Sequence, residues 1–226
     1  MSAKPPPLPP APRFYLATPP LTEAVQLADP LGALLSAADI AAVLVRLADT
    51  DHRSKVNRIK TLAPVIQDAG AALLLDGHLE LVARTGADGA HVNGVEALKE
   101  ALDALKPERI VGVGALHSRH DSMVAGESGA DYVLFGEPGT GDEPPAPEAT
   151  AERLDWWAEL FEPPCVGYAR TLDETELFAA SGADFVMVGD LLWADPRGPQ
   201  ATLAEAAERL KQGYAARVAR IAARQG

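Results

Sequence analysis

The chain has 226 residues, 47% of them hydrophobic and only 5% aromatic, with a formal net charge of −12 at pH 7. That length and apolar content suit one domain with a sizeable core, and the acidic balance excludes the cation surplus needed to hold nucleic acid or an anionic membrane surface. Cys165 is alone, which rules out an intrachain disulfide or a cysteine-based metal centre and suits a reducing cytoplasm, and no apolar run reaches the roughly 18 residues of a membrane span.

The opening MSAKPPPLPPAP has one lysine and no apolar stretch of the kind that a secretory signal carries. Its prolines favour an extended, polyproline-like conformation, so residues 1–12 are read as a flexible arm and 13–226 as a single domain. RFYLAT reads as the first strand, and after Pro19-Pro20 a helix is expected from about Pro30 to Ala38. IAAVLVRL is the second strand, and HRSKVNRIKTLAPVIQDAG an amphipathic helix ending at Gly70. AALLLDG and HLELVARTGA form the third strand–helix pair, and GAHVN and VEALKEALDALKP the fourth. RIVGVGAL is followed by SRHDSMVAGESGA, and DYVLFGEP is the sixth strand.

The segment GTGDEPPAPEAT then interrupts the pattern, acidic, proline-rich and long for a strand-to-helix loop. ERLDWWAELFE is the next helix, PPCVGYAR the seventh strand and TLDETELFAASGA its helix. DFVMVGDLLW is the eighth strand, and a long last helix starts near Thr202. Three times a helical stretch closes with Gly-Ala-Asp before an apolar run: Gly86-Ala87-Asp88, Gly129-Ala130-Asp131 and Gly182-Ala183-Asp184. Glycine can take the left-handed conformation that ends a helix, and the run that follows has the length of a buried strand. Eight alternations of this kind predict parallel strands closed into a (β/α)8 TIM barrel. An open doubly wound sheet is the weaker alternative, since no GxGxxG opens a helix.

In such a barrel the site lies at the strand C-termini. The strand ends carry Arg46, Asp76, His91, Asn93, His117, Glu137, Arg170 and Asp190, and convergence of polar groups on one mouth points to a ligand. His117 is the candidate proton shuttle, because imidazole titrates near neutral pH and a helix starts beside it. His91, inside a short strand, reads first as a core histidine bonded to a backbone carbonyl and second as a site residue. Asp76 and Glu96, one strand–helix unit apart, could hold Mg²⁺, although Asp76 could instead cap the helix near His78. Gly167 and Gly189 stand on the seventh and eighth strands, where barrels of this type bind phosphate, with Asp190 opposing an anion there. Of Trp156 and Trp157, adjacent on one helix, one must face away from the core, which would suit a homo-oligomer contact.

LLLDGHLELVARTGADGAHV, IVGVGALHS, ESGADYVLFGEP and SGADFVMVG together resemble the thiamine phosphate synthases and their thiazole tautomerase relatives. The layout DxxLELAxxxGADGxHxG, GxSxHS and GADYVxxGP covers the second to the eighth strand. The resemblance implies coupling of hydroxymethylpyrimidine pyrophosphate to a thiazole phosphate with Mg²⁺ on the leaving group. It implies a small phosphorylated heterocycle as ligand, bound by Arg46, His91, Asn93, Gly167, Arg170 and Gly189. In the tautomerase branch it implies a proton-moving role for His117, and a barrel that only binds or regulates is a further alternative.

Several family positions differ here. Gln-x-Arg-x-Lys on the second strand keeps only Arg46, with Leu44 and Ala48 at the other two places. Asn-Asp becomes Asp76-Gly77, the second metal aspartate becomes Glu96, and the serine before the histidine becomes Gly114, with Leu116 as an extra residue. GTGDEPPAP replaces the Thr-x-Thr-Lys loop, and Ala169-Arg170 replaces a Gly-Gly pair. A mouth that loses lysines and gains acids binds polyanions less well. One unmatched like-charge pair at 4 Å costs about 4 kcal/mol at an effective dielectric of 20. Weakened or altered synthase activity is therefore the expectation.

Overall fold

A computed structural model describes residues 8–137 and 144–225. The eight strands are β1 (Arg13–Ala17), β2 (Ile40–Val45), β3 (Ala72–Asp76), β4 (Gly89–Asn93), β5 (Ile110–Gly114), β6 (Tyr132–Phe135), β7 (Cys165–Ala169) and β8 (Phe185–Val188). All pair in parallel and in sequence order, and β8 pairs back on β1 to close the barrel, with Tyr15 opposite Met187 and Leu16 opposite Val188. Between them run α1 (Ala24–Ala37), α2 (His52–Gln67), α3 (Leu79–Thr85), α4 (Gly94–Leu105), α5 (Arg119–Glu127), α6 (Pro147–Leu160) and α7 (Leu172–Ala180). The short α8 (Asp190–Trp193) follows β8, and α9 (Pro199–Gln225) ends the described chain. The expected barrel is the observed one. Residues 1–7 of the arm and 138–143 of the acidic loop lie outside the described residues.

Strand alternation sorts the core into two regions. Phe14 and Leu16 face the helices and join the large cluster with Leu31, Ile59, Leu98, Leu154 and Trp157. Tyr15, Ala17, Leu44, Leu74, Tyr132, Leu134, Val166, Tyr168 and Met187 form a second cluster made only of strand residues, which is the barrel interior. The interior therefore holds three of the chain's four tyrosines, and their hydroxyls need partners there.

The Gly-Ala-Asp repeat has a structural meaning beyond the turn. Gly86, Gly129 and Gly182 all have positive φ, at 76°, 97° and 101°. The aspartate after each reaches back to the preceding strand. Asp88 accepts from the Leu73 backbone N–H at 2.7 Å, Asp131 from Val111 at 2.7 Å and Asp184 from Cys165 at 2.8 Å. The same three aspartates donate their own N–H groups to the carbonyls of Leu73, Val111 and Cys165. Each repeat thus fastens the start of one strand to the lead-in of the next by two bonds. Before β2 the corresponding aspartate, Asp39, follows Ala38 instead of that motif and pairs with Arg13 Nε at 2.8 Å.

Some boundaries differ from the sequence reading. α1 begins at Ala24, so Pro30 lies inside it. A proline inside a helix costs about 3 kcal/mol, yet Ala24, Leu27, Leu31 and Leu34 form one buried stripe through it, and that burial decides the outcome. α6 and α9 open at Pro147 and Pro199, each earlier than expected, because proline is well suited to a first helical turn. GDLLW is not strand: β8 stops at Val188 and Asp190–Trp193 turn into α8. Trp157 is fully buried, and Trp156 is half-buried under the Arg119 guanidinium, 5.0 Å from its ring centre. Among the described residues no helix is long and apolar enough to cross a membrane.

Candidate active site

The centre of the mouth is a line of hydrogen bonds across the barrel. Tyr15 and Tyr132 hydroxyls meet at 2.8 Å, Tyr132 Oη lies 3.0 Å from His91 Nδ1, and His91 Nε2 lies 3.2 Å from Glu137 Oε1. Glu137 Oε2 accepts the Ala115 backbone N–H at 2.8 Å. The polarity of the line follows from its end. A carboxylate only accepts, so His91 Nε2 donates to it; with a neutral imidazole Nδ1 then accepts from Tyr132, and Tyr132 accepts from Tyr15. Burial pushes both phenols up, which keeps them protonated as this order requires.

Two glycines make room for this arrangement. A Cβ on Gly112 would stand 1.9 Å from the Tyr132 ring, and one on Gly114 would stand 1.7 Å from Glu137 Oε2. Gly114 takes the place of the family's serine, and Glu137 stands where the layout GADYVxxGP has proline. The two departures belong together, since a serine at 114 would occupy the space of the Glu137 carboxylate. Ala115 has a φ of 50°, the left-handed region that non-glycine residues avoid, and this turn aims its N–H at Glu137.

Both candidate anion-binding arginines are already matched. Arg46 Nε donates to the Thr18 carbonyl, and its Nη2 lies 2.7 Å from Asp190 Oδ1. Tyr168 Oη donates to the other Asp190 oxygen at 3.3 Å, and burial, with Asp190 adding to it, pushes the Tyr168 phenol up. Arg170 is held by Glu174, Nη2 to Oε1 at 2.8 Å, and also donates to the Pro145 carbonyl at 3.2 Å. An open pocket of about 450 Å³ lies beside this group, lined by Tyr168, Arg170, Asp190, Leu191, Ala194, Asp195 and Pro196.

The remaining predicted residues are distributed as follows. Asp76 ends β3 and is half-buried; burial pushes its carboxyl up, His91 and, less, Arg46 work against this, and Glu137 adds to it. His78, not Asp76, occupies the N-cap of α3. His91 is 1% exposed and bonded to Tyr132 and Glu137, not to a backbone carbonyl as one reading expected. Asn93 is exposed at the start of α4 without capping it through its side chain. Gly189 closes β8 next to Arg46. Gly167 is not brought to the mouth: it faces outward, and a Cβ there would meet Phe178 and Leu154 of the helix layer. His117 is exposed, and Arg153 holds its backbone carbonyl and that of Leu116. Ser118 beside it caps α5 reciprocally with Asp121.

Among the described residues no three His, Cys, Asp or Glu side chains gather as a metal site. Asp76 nonetheless fits a hard cation, since its burial beside Glu137 leaves a negative charge that a cation would relieve. Mg²⁺ commonly takes one or two carboxylates and completes its shell with water and substrate phosphate. Glu96 fits less well: its carboxylate is 89% exposed and lies 3.1 Å from Lys99.

Tyr15, Tyr132, Tyr168 and Glu174 escaped the sequence reading as site residues. A signal for the tyrosines was present: Tyr15, Tyr132 and Tyr168 each sit on the inward parity of a strand otherwise apolar. Nothing in the sequence ties Glu174 to Arg170 except their i,i+4 spacing.

A closed parallel barrel with its polar groups gathered at the strand C-termini defines a ligand-binding (β/α)8 protein. The family model described as thiamine monophosphate synthase matches residues 14–192. The thiamine-phosphate synthase of Rhodospirillum centenum is 40% identical over 197 residues, covering 85% of this chain and 95% of the relative. That of Hyphomonas neptunium is 34% identical over 203 residues, covering 86% and 91%. A thiamine phosphate pyrophosphorylase structure from Pyrococcus furiosus superposes with a TM-score of 0.72 at 18% identity, over 89% of this chain and 96% of the other, and supports the fold. The chain belongs to the thiamine monophosphate synthase family, a family of thiamine biosynthesis.

Proposed function

We propose that this chain is a cytoplasmic thiamine-phosphate synthase, joining hydroxymethylpyrimidine diphosphate to thiazole phosphate with release of diphosphate. The observation that carries the reading is the 40% identity to a thiamine-phosphate synthase along nearly the whole of both chains. The mouth agrees with a small phosphorylated heterocycle as ligand. Tyr168 and Arg170 line the open pocket after β7 and β8, the side on which barrels of this kind bind phosphate, and Arg46 is bonded to Asp190 on its wall.

In this reading Arg46 and Arg170 bind the anionic ends of the substrates and hold the thiazole nitrogen in line with the pyrimidine methylene. Bringing two reactants together in one orientation supplies much of the acceleration available to such a coupling. Asp76 would hold Mg²⁺, which would supply neutralisation of the charge on the leaving diphosphate. The rate is lower than the family pattern would deliver, because Arg46 must give up Asp190 and Arg170 must share itself with Glu174.

The test is an assay of the purified full chain with both half-substrates and Mg²⁺, following thiamine phosphate. Product above a no-enzyme control, lost on chelation of Mg²⁺, is the expected result. A folded protein that forms no product overturns the synthase reading.

A further inference from the structure

We propose that Glu137 is a further catalytic residue of this mouth, a fixed carboxylate that receives the positive charge of the heterocycle during coupling. The inference rests on the synthase reading for its chemistry, and on four separate features of the structure for its place.

The first is position. Glu137 follows β6, yet it bonds Ala115 after β5 and His91 on β4, and its charge is felt by Asp76 on β3 and Tyr168 on β7. A carboxylate that follows β6 and is bonded to groups of β4 and of the turn after β5 lies over the C-terminal mouth of the barrel, where ligands of this fold bind. The second is orientation. Each oxygen accepts from one donor, so the side chain is held at both ends, while a carboxylate has about four lone-pair sites and retains capacity toward the mouth. The third is the space made for it, since neither a serine nor an alanine at Gly114 could coexist with the carboxylate where it stands. The fourth is the cost accepted for it. Ala115 holds a left-handed backbone to present its N–H, and such strain persists where the surroundings enforce it.

The side chain is 19% exposed, so a ligand can reach it. The buried line Tyr15, Tyr132 and His91 holds it in one setting, and these are positioning residues. A preorganised charge of this kind acts where charge develops, without reorganising at the moment of reaction.

The chemistry calls for such a group. When the methylene C–O bond breaks, its electron pair leaves with the diphosphate, and positive charge is left on the methylene carbon and spreads into the aminopyrimidine ring. The thiazole nitrogen then gives its lone pair to that carbon, and the charge ends on the thiazolium nitrogen. No proton or oxidant is needed to balance the step. The arginines serve the phosphates, whereas nothing in the family reaction as described above serves the cation; Glu137 fills that role.

The experiment pairs a binding readout with a turnover readout in Glu137→Gln, a substitution of nearly the same shape. Thiamine phosphate, which carries the thiazolium cation, and inorganic diphosphate, which carries none, are titrated separately by calorimetry. The expected result is at least tenfold weaker binding of thiamine phosphate, diphosphate affinity unchanged within twofold, and a matching loss in kcat. Tyr15→Phe serves as the second variant: it removes the remote end of the line and should give a smaller loss of the same kind. Wild-type protein that does not bind thiamine phosphate, or Glu137→Gln that binds it as wild type does, overturns the inference. Absence of turnover in the wild type with the binding difference intact overturns the synthase reading alone.

Discussion

Asp190 and Arg46, 2.7 Å apart, show how single residues set the character of this mouth. The pair is open to water, with the Asp190 side chain 66% exposed, so its strength is of the order of 1 kcal/mol and not the several that a buried pair could reach. Asp190→Asn should therefore tighten inorganic diphosphate by about fivefold, read by titration calorimetry, because the guanidinium no longer has an internal counter-ion. Unchanged affinity would show that Arg46 does not meet the anion. His117 makes the opposite prediction. Its side chain is exposed and the structure uses its carbonyl, so His117→Asn should leave thiamine phosphate formation within about twofold of wild type, as for other surface substitutions. The histidine that stands out in the sequence is thus less engaged than His91, whose place inside a short apolar strand made it look like filling.

At the scale of elements, the aspartate of each Gly-Ala-Asp repeat is a clasp between neighbouring strands. Asp184→Ala would leave the Cys165 N–H without its side-chain acceptor, a loss of about 1–3 kcal/mol measured from denaturant unfolding. The helix ends carry a pH signature. Asp51 caps α2, and its hydrogen bonds from Ser54, side chain and backbone, hold its carboxyl below the usual range. A depressed carboxyl contributes stability that is present above its unfolded pKa and is lost as pH falls through the lower folded value. The Tm difference between wild type and Asp51→Ala should accordingly be constant near neutrality and shrink in acid, below about pH 4. A difference that persists unchanged into strong acid would sink this account of the cap.

For the whole molecule the governing quantity is the net charge of −12. Both substrates of the proposed reaction are anions and approach against that field. Repulsion of this range is screened as the Debye length falls from about 30 Å at 0.01 M salt to about 8 Å at 0.15 M. The kcat/KM of the synthase reaction should rise over that interval, by a factor of a few, at fixed Mg²⁺. A fall with salt instead would mean that local cations at the mouth outweigh the charge of the whole chain.

The barrel was legible because it is written in repeats. Gly-Ala-Asp after three of the helices and apolar runs of strand length throughout recur often enough that the eightfold alternation needs no tertiary information. The strands were legible too, though β2, β5 and β8 end earlier than the apolar runs suggest, and so was the ring of polar residues from Arg46 to Asp190 at or just beyond their ends. Helix starts near proline were not, because the burial of Leu27, Leu31 and Leu34 outweighs the local cost at Pro30. Nor was the pairing within the ring. Which carboxylate neutralises Arg46, which glycine yields space to Glu137, and that Gly167 faces the helices instead of the mouth all depend on strand register and on the direction of each side chain. The amino-acid sequence by itself determined the fold, the family and the rim on which chemistry takes place, since these follow from periodicity and motif. Only the tertiary structure decided which of those polar groups are free to act, because pairs such as Arg46 and Asp190, 144 positions apart, are made by closing the barrel.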